Sequence, residues 1–396
     1  RNAYADYGVQ SESCRMYKDL VAGGVNPDNI ILMSDDRVTK LEDNPFPGEL
    51  FTDDSPKAPG KDYSKGCVEH IDYEYDTMTG DVMLAIMRGD IEELKKLTKK
   101  ENPRALHSTA EDNIMLYFTS HGGPGEILVG NTYVKEKDLI STIQYMHDNK
   151  MYKNFLFLME ACYSGSMFTN LPKGLNVYAI TAADDDHSSY ESHCPPDDVV
   201  NHYEFDVCMS MYYDNEFQRL WEAESTTITL GELFQRTHDH VAKYNHQEVS
   251  EWGDLTMRDL PMTTFIGDKP ITTRNIVDLK PSTLVAKSEA PLHVAKWAAI
   301  RSGKKDLSEL RDLVYARAKE EIEVMRLGAS ILGEKEMDQK KDEDTYVYNN
   351  SCATMMFENL MDKCGHSMPF PSMTRNIVHA ICSQKVAPVD WDSVCM

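Results

Sequence analysis

The chain has 396 residues, with 41 Lys and Arg against 65 Asp and Glu, a formal charge of −24. That length allows two domains and ample core, and so acidic a composition argues against nucleic acid or an anionic membrane as partner. No run approaches the ~20 apolar residues of a membrane-spanning helix, and of the nine cysteines the last four, Cys352, Cys364, Cys382 and Cys395, show no His spacing that suggests a zinc site.

Residues 1–266 alternate strand-like and helix-like segments, the pattern of an α/β fold with a mostly parallel sheet. In chain order, the pattern predicts a helix near 11–23, a strand over Asn29–Met33 and a long surface loop where Pro and Gly cluster between 44 and 66. A helical stretch near 81–99 contains the integrin-type tripeptide Arg88-Gly89-Asp90, which reads as one helix ending at Gly89 and the next starting with Asp90 as N-cap. The runs Ile114–Thr119 and Phe155–Met159 flank a helix near 135–149 and are apolar at nearly every position, as strands covered on both faces are. A further strand over Val177–Thr181 precedes helices near 203–221 and 230–245. Gly267 to Pro291 loses periodicity, carries Pro270, Pro281 and Pro291, and reads as a linker. Beyond it Leu307, Leu310, Leu313 and Val314 keep one apolar helical face, and Gly333 to Asp344 is highly charged and exposed. The domains expected are 1–266, a linker and helical segment over 267–344, and a helical domain over 345–396. Residues 1–289 hold 27 Lys and Arg against 49 Asp and Glu, whereas 290–396 hold 14 against 16. An acidic body held by a near-neutral cap is an arrangement sensitive to pH.

The chemistry is concentrated at two strand ends. Ile114–Thr119 is followed by Ser120-His121-Gly122-Gly123, and Phe155–Met159 by Glu160-Ala161-Cys162-Tyr163-Ser164-Gly165. Ligands and catalytic groups in such sheets collect beyond the carboxyl ends of the strands. Either residue alone has a bland reading, a structural His or a small buried Cys. A His and a Cys presented together suggest a nucleophilic thiol and its acid/base partner. The small residues after each let substrate approach, and backbone N–H groups there can bind an oxyanion. The acidic run Asp184-Asp185-Asp186 reads as a solvated loop near the rim, because consecutive carboxylates point in different directions.

Strand-His-Gly, then strand-Glu-Ala-Cys-x-Ser-Gly-Ser-Met over Glu160 to Met167, resembles the legumains, asparaginyl endopeptidases with a caspase-like fold. Asp43-Asn-Pro-Phe-Pro-Gly48, Lys61-Asp-Tyr63, Met87-Arg-Gly-Asp90, Asn176-Val-Tyr-Ala179, Ser188-Ser-Tyr190 and the cysteine tail from Cys352 to Cys395 extend the likeness. The resemblance implies a caspase-like three-layer sandwich followed by a small all-helical, disulfide-linked prodomain. It implies a cysteine endopeptidase zymogen, with Cys162 as nucleophile, His121 as acid/base, and the N–H groups of Gly122 and Cys162 around the oxyanion. Legumains orient the His with an Asn; Asp6 is the nearest match here, with Asn2 as competitor. The resemblance also gives a substrate pocket of Glu160, Ser188, Ser189 and Asp206, disulfides Cys352–Cys382 and Cys364–Cys395, and an activation cut at Lys304 or Lys305. Such crosslinks imply an oxidising compartment, and the acceptor sequon at Asn349 agrees with a secretory route.

Two departures from the legumain pattern matter. Gly8-Val9 stands where legumains have Arg-His, which removes a bidentate donor from the pocket. An acid-lined pocket without it either prefers Asn with less stringency or accepts something basic. Tyr163 stands where many relatives carry Glu; it either tunes the neighbouring pocket and the balance of hydrolysis and ligation, or is surface variation. The legumain reading expects the region between Pro291 and Leu327 to cover Cys162, held by carboxylates paired with Arg311 or Arg317 and released in acid. It places the protein in a lysosome, a vacuole or outside the cell, and reads the chain as truncated or processed at its start. Its partners would be peptide and protein substrates, its own prodomain and cystatin-type inhibitors, with no cofactor and no metal. A peptide ligase or transpeptidase using the same thioester and a catalytically weakened binding protein are the competing functions. A lipid-anchor transamidase is disfavoured by the cysteine tail.

Overall fold

The structure, a computed structural model, describes residues 3–52, 61–244, 247–271, 282–303, 307–333, 337, 350–366, 370, 372–383 and 389–395. The N-terminal helix α1 (Tyr7–Gly23) leads through a single turn α2 (Arg37–Lys40) to α3 (Gly80–Met87) and α4 (Ile91–Thr98). The Arg88-Gly89-Asp90 tripeptide separates the last two: Gly89 has φ +66°, and Asp90 caps α4 by accepting from the Glu93 N–H at 2.9 Å. The strand β1 (Asn113–Thr119) follows, then a small antiparallel sheet of β2 (Gly122–Gly123), β3 (Glu126–Val129) and β4 (Thr132–Lys135), helix α5 (Glu136–Asp148), β5 (Asn154–Glu160) and β6 (Val177–Thr181). After β7 (Tyr190–Ser192) come β8 (Val199–Val200), β9 (Tyr203–Glu204), β10 (Ser210–Met211), α6 (Tyr212–Glu224), α7 (Leu230–Ala242), β11 (Ser250–Gly253) and α8 (Thr263–Ile266).

The main sheet has the order β1-β5-β6-β11, parallel except for β11. Strand period puts alternate residues of β5 on opposite faces. Leu156 and Leu158 pack with α1, α6 and α7 through Met16, Phe217, Trp221 and Leu233. Phe155, Phe157 and Met159 pack with α3 and α5 through Met83, Ile143 and Met146. This is the α/β arrangement of helices on both faces, and it explains why Phe155–Met159 is apolar throughout. Truncating any one of these side chains to Ala costs about 2–5 kcal/mol, so the strand that leads to Cys162 is rigidly held.

Three expectations are corrected. Asn29–Met33 is not a strand: Pro27–Asn29 forms a 3₁₀ turn, and Met33 makes an isolated bridge with Tyr73. Between this segment and β1 lies a cavity of about 950 Å³ lined by Ile31, Met33, Met115 and Tyr117, so β1 does not pair with its backbone. Among the described residues β1 has β5 as its one sheet neighbour and is therefore only part-buried over 114–118, not enclosed on both faces. The helix expected near 203–221 starts at Tyr212, because β9 and β10 take up the preceding residues.

The expected linker is also more structured than its composition suggests. Its described C-terminal part forms β12 (Val285–Ala286), antiparallel to β7, and runs into α9 (Ala290–Arg301) and the long α10 (Ser308–Leu332). The final helices are Asn350–Cys364, Ser372–Cys382 and Trp391–Val394. They share one core with Val324 and Leu327 of α10, so by packing the helical body reaches back before residue 345. Disulfides Cys352–Cys382 and Cys364–Cys395 close it, the pairing the resemblance implies, while Cys14–Cys67 and Cys194–Cys208 tie the first domain. Asn349, Lys304, Lys305 and Asn2 lie outside the described residues.

Candidate active site

The register of the main sheet brings the two strand ends together. Thr119 is opposite Glu160, and the Ser120 N–H donates to the Glu160 carbonyl at 3.1 Å. His121 and Cys162 therefore each stand two residues beyond one shared rung. Gly122 lies so close to the Ala161–Cys162 backbone that a Cβ on it would sit 2.4 Å from the Cys162 carbonyl oxygen and 3.0 Å from Ala161 Cβ. No side chain fits there, which explains the Gly after the His.

His121 is buried, and its Nε2 lies 2.9 Å from Asp6 Oδ1, just ahead of α1. Cys162 is the free cysteine, fully buried, with Sγ 3.0 Å from Ser188 Oγ and 3.7 Å from Ser189 Oγ. Burial pushes its thiol pKa up, against the opposing pull of the nearby Lys287 ammonium and the two hydroxyls. Tyr163 follows in the left-handed region at φ +55°, and its N–H donates to the His187 carbonyl at 2.8 Å. Its ring is buried, so it is not a surface variation.

Glu160, Ser188 and Ser189 gather beside Cys162, but Asp206 does not join them. It pairs with Arg301 at 2.7 Å, in a cluster with Asp198, because its loop packs against α9 rather than against β5. The acidic company of Glu160 is instead Asp214, buried at the start of α6, and Glu191 of β7. Burial first and the Glu160 charge second hold the Asp214 carboxyl well above the usual carboxylate range. Neither residue carried a sequence signal beyond being a carboxylate in an otherwise buried segment.

The largest surprise is Lys287. It is fully buried, with Nζ 2.7 Å from Glu160 Oε1 and donating to the Ser120 carbonyl at 2.9 Å. The segment reaching the site is thus Val285 to Ser288, ahead of the expected 291–327 cover. Arg311 plays no part in holding it, being exposed and paired with its neighbour Asp312. Arg317 does hold it, donating to the Ser288 carbonyl at 2.7 Å and to Glu289 at 3.0 Å. Other ties between tail and body are Lys135–Glu358 at 2.8 Å, the Arg301 cluster, and Arg375 and His379 on Asp186. The Asp184-Asp185-Asp186 run is therefore an ordered corner: Asp184 accepts from the N–H groups of Asp186 and His187, and Asp186 meets the tail. Two groupings could hold a metal on spacing among the described residues, Glu191/Cys194/Cys208 and Glu323/Cys364/His366, but their sulfurs are committed to disulfides.

Residues 1–268 match the peptidase C13 family. Legumain from Mus musculus is 30% identical over 318 residues, covering 79% of this chain and 68% of that protein. Legumain from Rattus norvegicus is 28% identical over 100% of this chain and 90% of its own length. Hemoglobinase from Schistosoma japonicum is 30% identical over 74% of this chain and 64% of its own. Among solved structures, caspase-1 from Spodoptera frugiperda aligns at a TM-score of 0.30 and 12% identity over 46% of this chain and 69% of that one, too slight a likeness to carry an argument.

Proposed function

The chain belongs to the peptidase C13 family and is a cysteine endopeptidase, and we propose that it is a zymogen acting through a thioester on Cys162. The observation that carries this reading is the shared rung beyond which His121 and Cys162 each stand two residues, with Asp6 against Nε2 of the imidazole. With Nε2 engaged by Asp6, Nδ1 is the nitrogen that takes the thiol proton. Sγ then bonds to the substrate carbonyl carbon, and the N–H groups of Gly122 and Cys162 receive the oxyanion. As the C–N bond breaks, His121 returns the proton to the leaving amine. Water, deprotonated by the same imidazole, opens the thioester and frees the acid and the thiol.

Two features support latency. Val285 to Ser288 lies across the pocket, and the thiol pKa is pushed up by burial in this closed form. Acid would release the tail by weakening its ion pairs with the body, those of Arg301 with Asp198 and Asp206 among them, and a cut at Lys304 or Lys305 would make release permanent. The relatives point to a lysosomal or vacuolar compartment, where such a pH is met. Peptides and proteins are the substrates, and cystatin-type proteins are candidate inhibitors by analogy. Cleavage after Asn is the specificity the resemblance brings. The buried Lys287–Glu160 pair favours a second reading, a basic residue in the same pocket. Transfer of the acyl group to an amine in place of water needs no change in these residues.

The test is irreversible labelling by an unselective peptidyl epoxide after acid treatment, read by mass spectrometry. Label on Cys162, absent in Cys162→Ala, is expected. A protein unlabelled at every pH would leave only the binding-protein reading.

A further inference from the structure

The pocket beside Cys162 is filled by a side chain held as a bound peptide would hold it. Val285 and Ala286 pair antiparallel with Glu191 and Tyr190 of β7, and the Lys287 N–H continues the ladder to the Ser189 carbonyl at 3.0 Å. This is strand addition to a sheet edge, in which main-chain bonds supply affinity and the side-chain pocket supplies selectivity. The side chain that enters is a lysine, none of it exposed. A lysine is almost never so buried unless its charge is answered. Here the answer is dense: Glu160 at 2.7 Å, the Ser120 carbonyl at 2.9 Å, and the buried carboxyl groups of Glu191 and Asp214 close enough to act on the same charge.

Once this segment leaves, the pocket keeps its carboxylates and loses that cation. An uncompensated buried carboxylate is strongly unfavourable, so the open pocket demands a positive charge from whatever enters. Among the described residues no arginine takes its place beside Glu160. At Gly8, where the resemblance expects one, a Cβ would already lie 2.7 Å from Met211 Cε and 3.1 Å from the Ser210 backbone. An Asn side chain would bring an amide dipole where the pocket is built for a full charge.

We propose that this pocket selects a basic residue, Lys ahead of Arg, on the acyl side of the cleaved bond, and that Lys287 is the chain's own mimic of that residue. The proposal rests on the peptidase reading for its chemistry, but not for the pocket's preference. It also gives a reason for the sequence around 304–305: a Lys-selective enzyme could make that cut itself.

Two measurements test it. A peptide library varying the residue before the scissile bond, presented to the acid-activated protein, should give Lys at least about tenfold above Asn in kcat/KM, with the margin collapsing in Glu160→Gln. Enrichment of Asn or Asp would overturn the proposal while leaving the peptidase intact, because Lys287 would then be a permanent wall of the pocket. The second readout needs no catalysis: thermal melting of the full-length Lys287→Ala chain with added n-propylammonium or propionamide. The melting midpoint should fall on substitution and recover with the ammonium alone. Recovery with the amide, or with neither, would overturn the pocket's preference. A library in which nothing is cleaved would instead refute the peptidase reading, and the melting result would still decide the pocket.

Discussion

Replacing Arg301 by Ala should unlatch the uncut chain at neutral pH. Arg301 ends α9, a helix that begins at Ala290, three residues after Lys287, and clamps it to the body. Its guanidinium lies 2.7 Å from Asp198, whose side chain is fully buried, and 2.7 Å from Asp206, with Glu204 at 3.3 Å. The Asp198 hydrogen bond holds the Arg301 pKa above its already high usual value, so the cation persists at every relevant pH. Removing one partner of a buried pair costs about 3–5 kcal/mol. The lower end applies here, since undocking α9 lets water reach Asp198. At 1.4 kcal/mol per decade, about 3 kcal/mol raises the open fraction roughly a hundredfold. The assay is the rate of Cys162 labelling by a peptidyl epoxide at pH 7, in protein shown by mass to be uncut. Adding Asp198→Asn removes the stranded charge and should bring the rate part of the way back, a coupling that a double-mutant cycle measures. A rate within twofold of wild type in Arg301→Ala would refute the latch.

Other outcomes follow from the same geometry. Cys162→Ala and His121→Ala should each lower peptidase activity by at least about 10³-fold while leaving the melting midpoint near wild type; retained activity in purified Cys162→Ala would end the assignment. Asp6→Ala should lower kcat about tenfold or more with KM little changed, and Asp6→Asn should restore most of it, since an amide can still hold Nε2. The pair of His187 Nδ1 and Asp184 Oδ1, 2.8 Å apart, raises the His187 pKa chiefly through that hydrogen bond. Its contribution is present below the unfolded His value and lost as pH rises through the raised one. His187→Gln should therefore cost about 1 kcal/mol in melts at pH 5 and close to nothing at pH 9; an equal loss at both would show that the pair is not what the His contributes.

The legible parts of this protein are those fixed by short-range pattern. The buried run Phe155–Met159 announces its strand because every position is enclosed, and the strand-end rule then singles out Cys162. The turn chemistry at Arg88-Gly89-Asp90 is likewise local and was readable, down to the cap on Asp90. Asn29–Met33 failed because its apolar pattern is that of a strand while strand identity depends on a neighbour, and the space toward β1 is a cavity. Asp206 failed for a related reason: a carboxylate transferred by likeness went to the pocket, whereas the fold spends it on Arg301, which no local pattern links to it.

Lys287 shows where such reading ends. Its segment has no periodicity, three prolines nearby and only two residues of strand, so composition alone makes it a linker. What gives it structure is the edge of β7, nearly a hundred residues earlier, and what gives its side chain a place is a carboxylate on β5 earlier still. The loss of Arg-His at Gly8-Val9 and the gain of a lysine near 287 are each visible in the sequence, but the relation between them is a tertiary one. One removes a cation from an acidic pocket and the other supplies it, from a segment that can be withdrawn. An arginine on α1 would stay in the pocket after activation, and the site would go on recognising a polar or acidic group. On the proposed activation a lysine on the tail leaves with the tail, and the same carboxylates then face the substrate uncompensated. Moving one positive charge from a fixed helix to a removable strand is therefore sufficient, on electrostatic grounds, to couple latency to specificity in a single pocket.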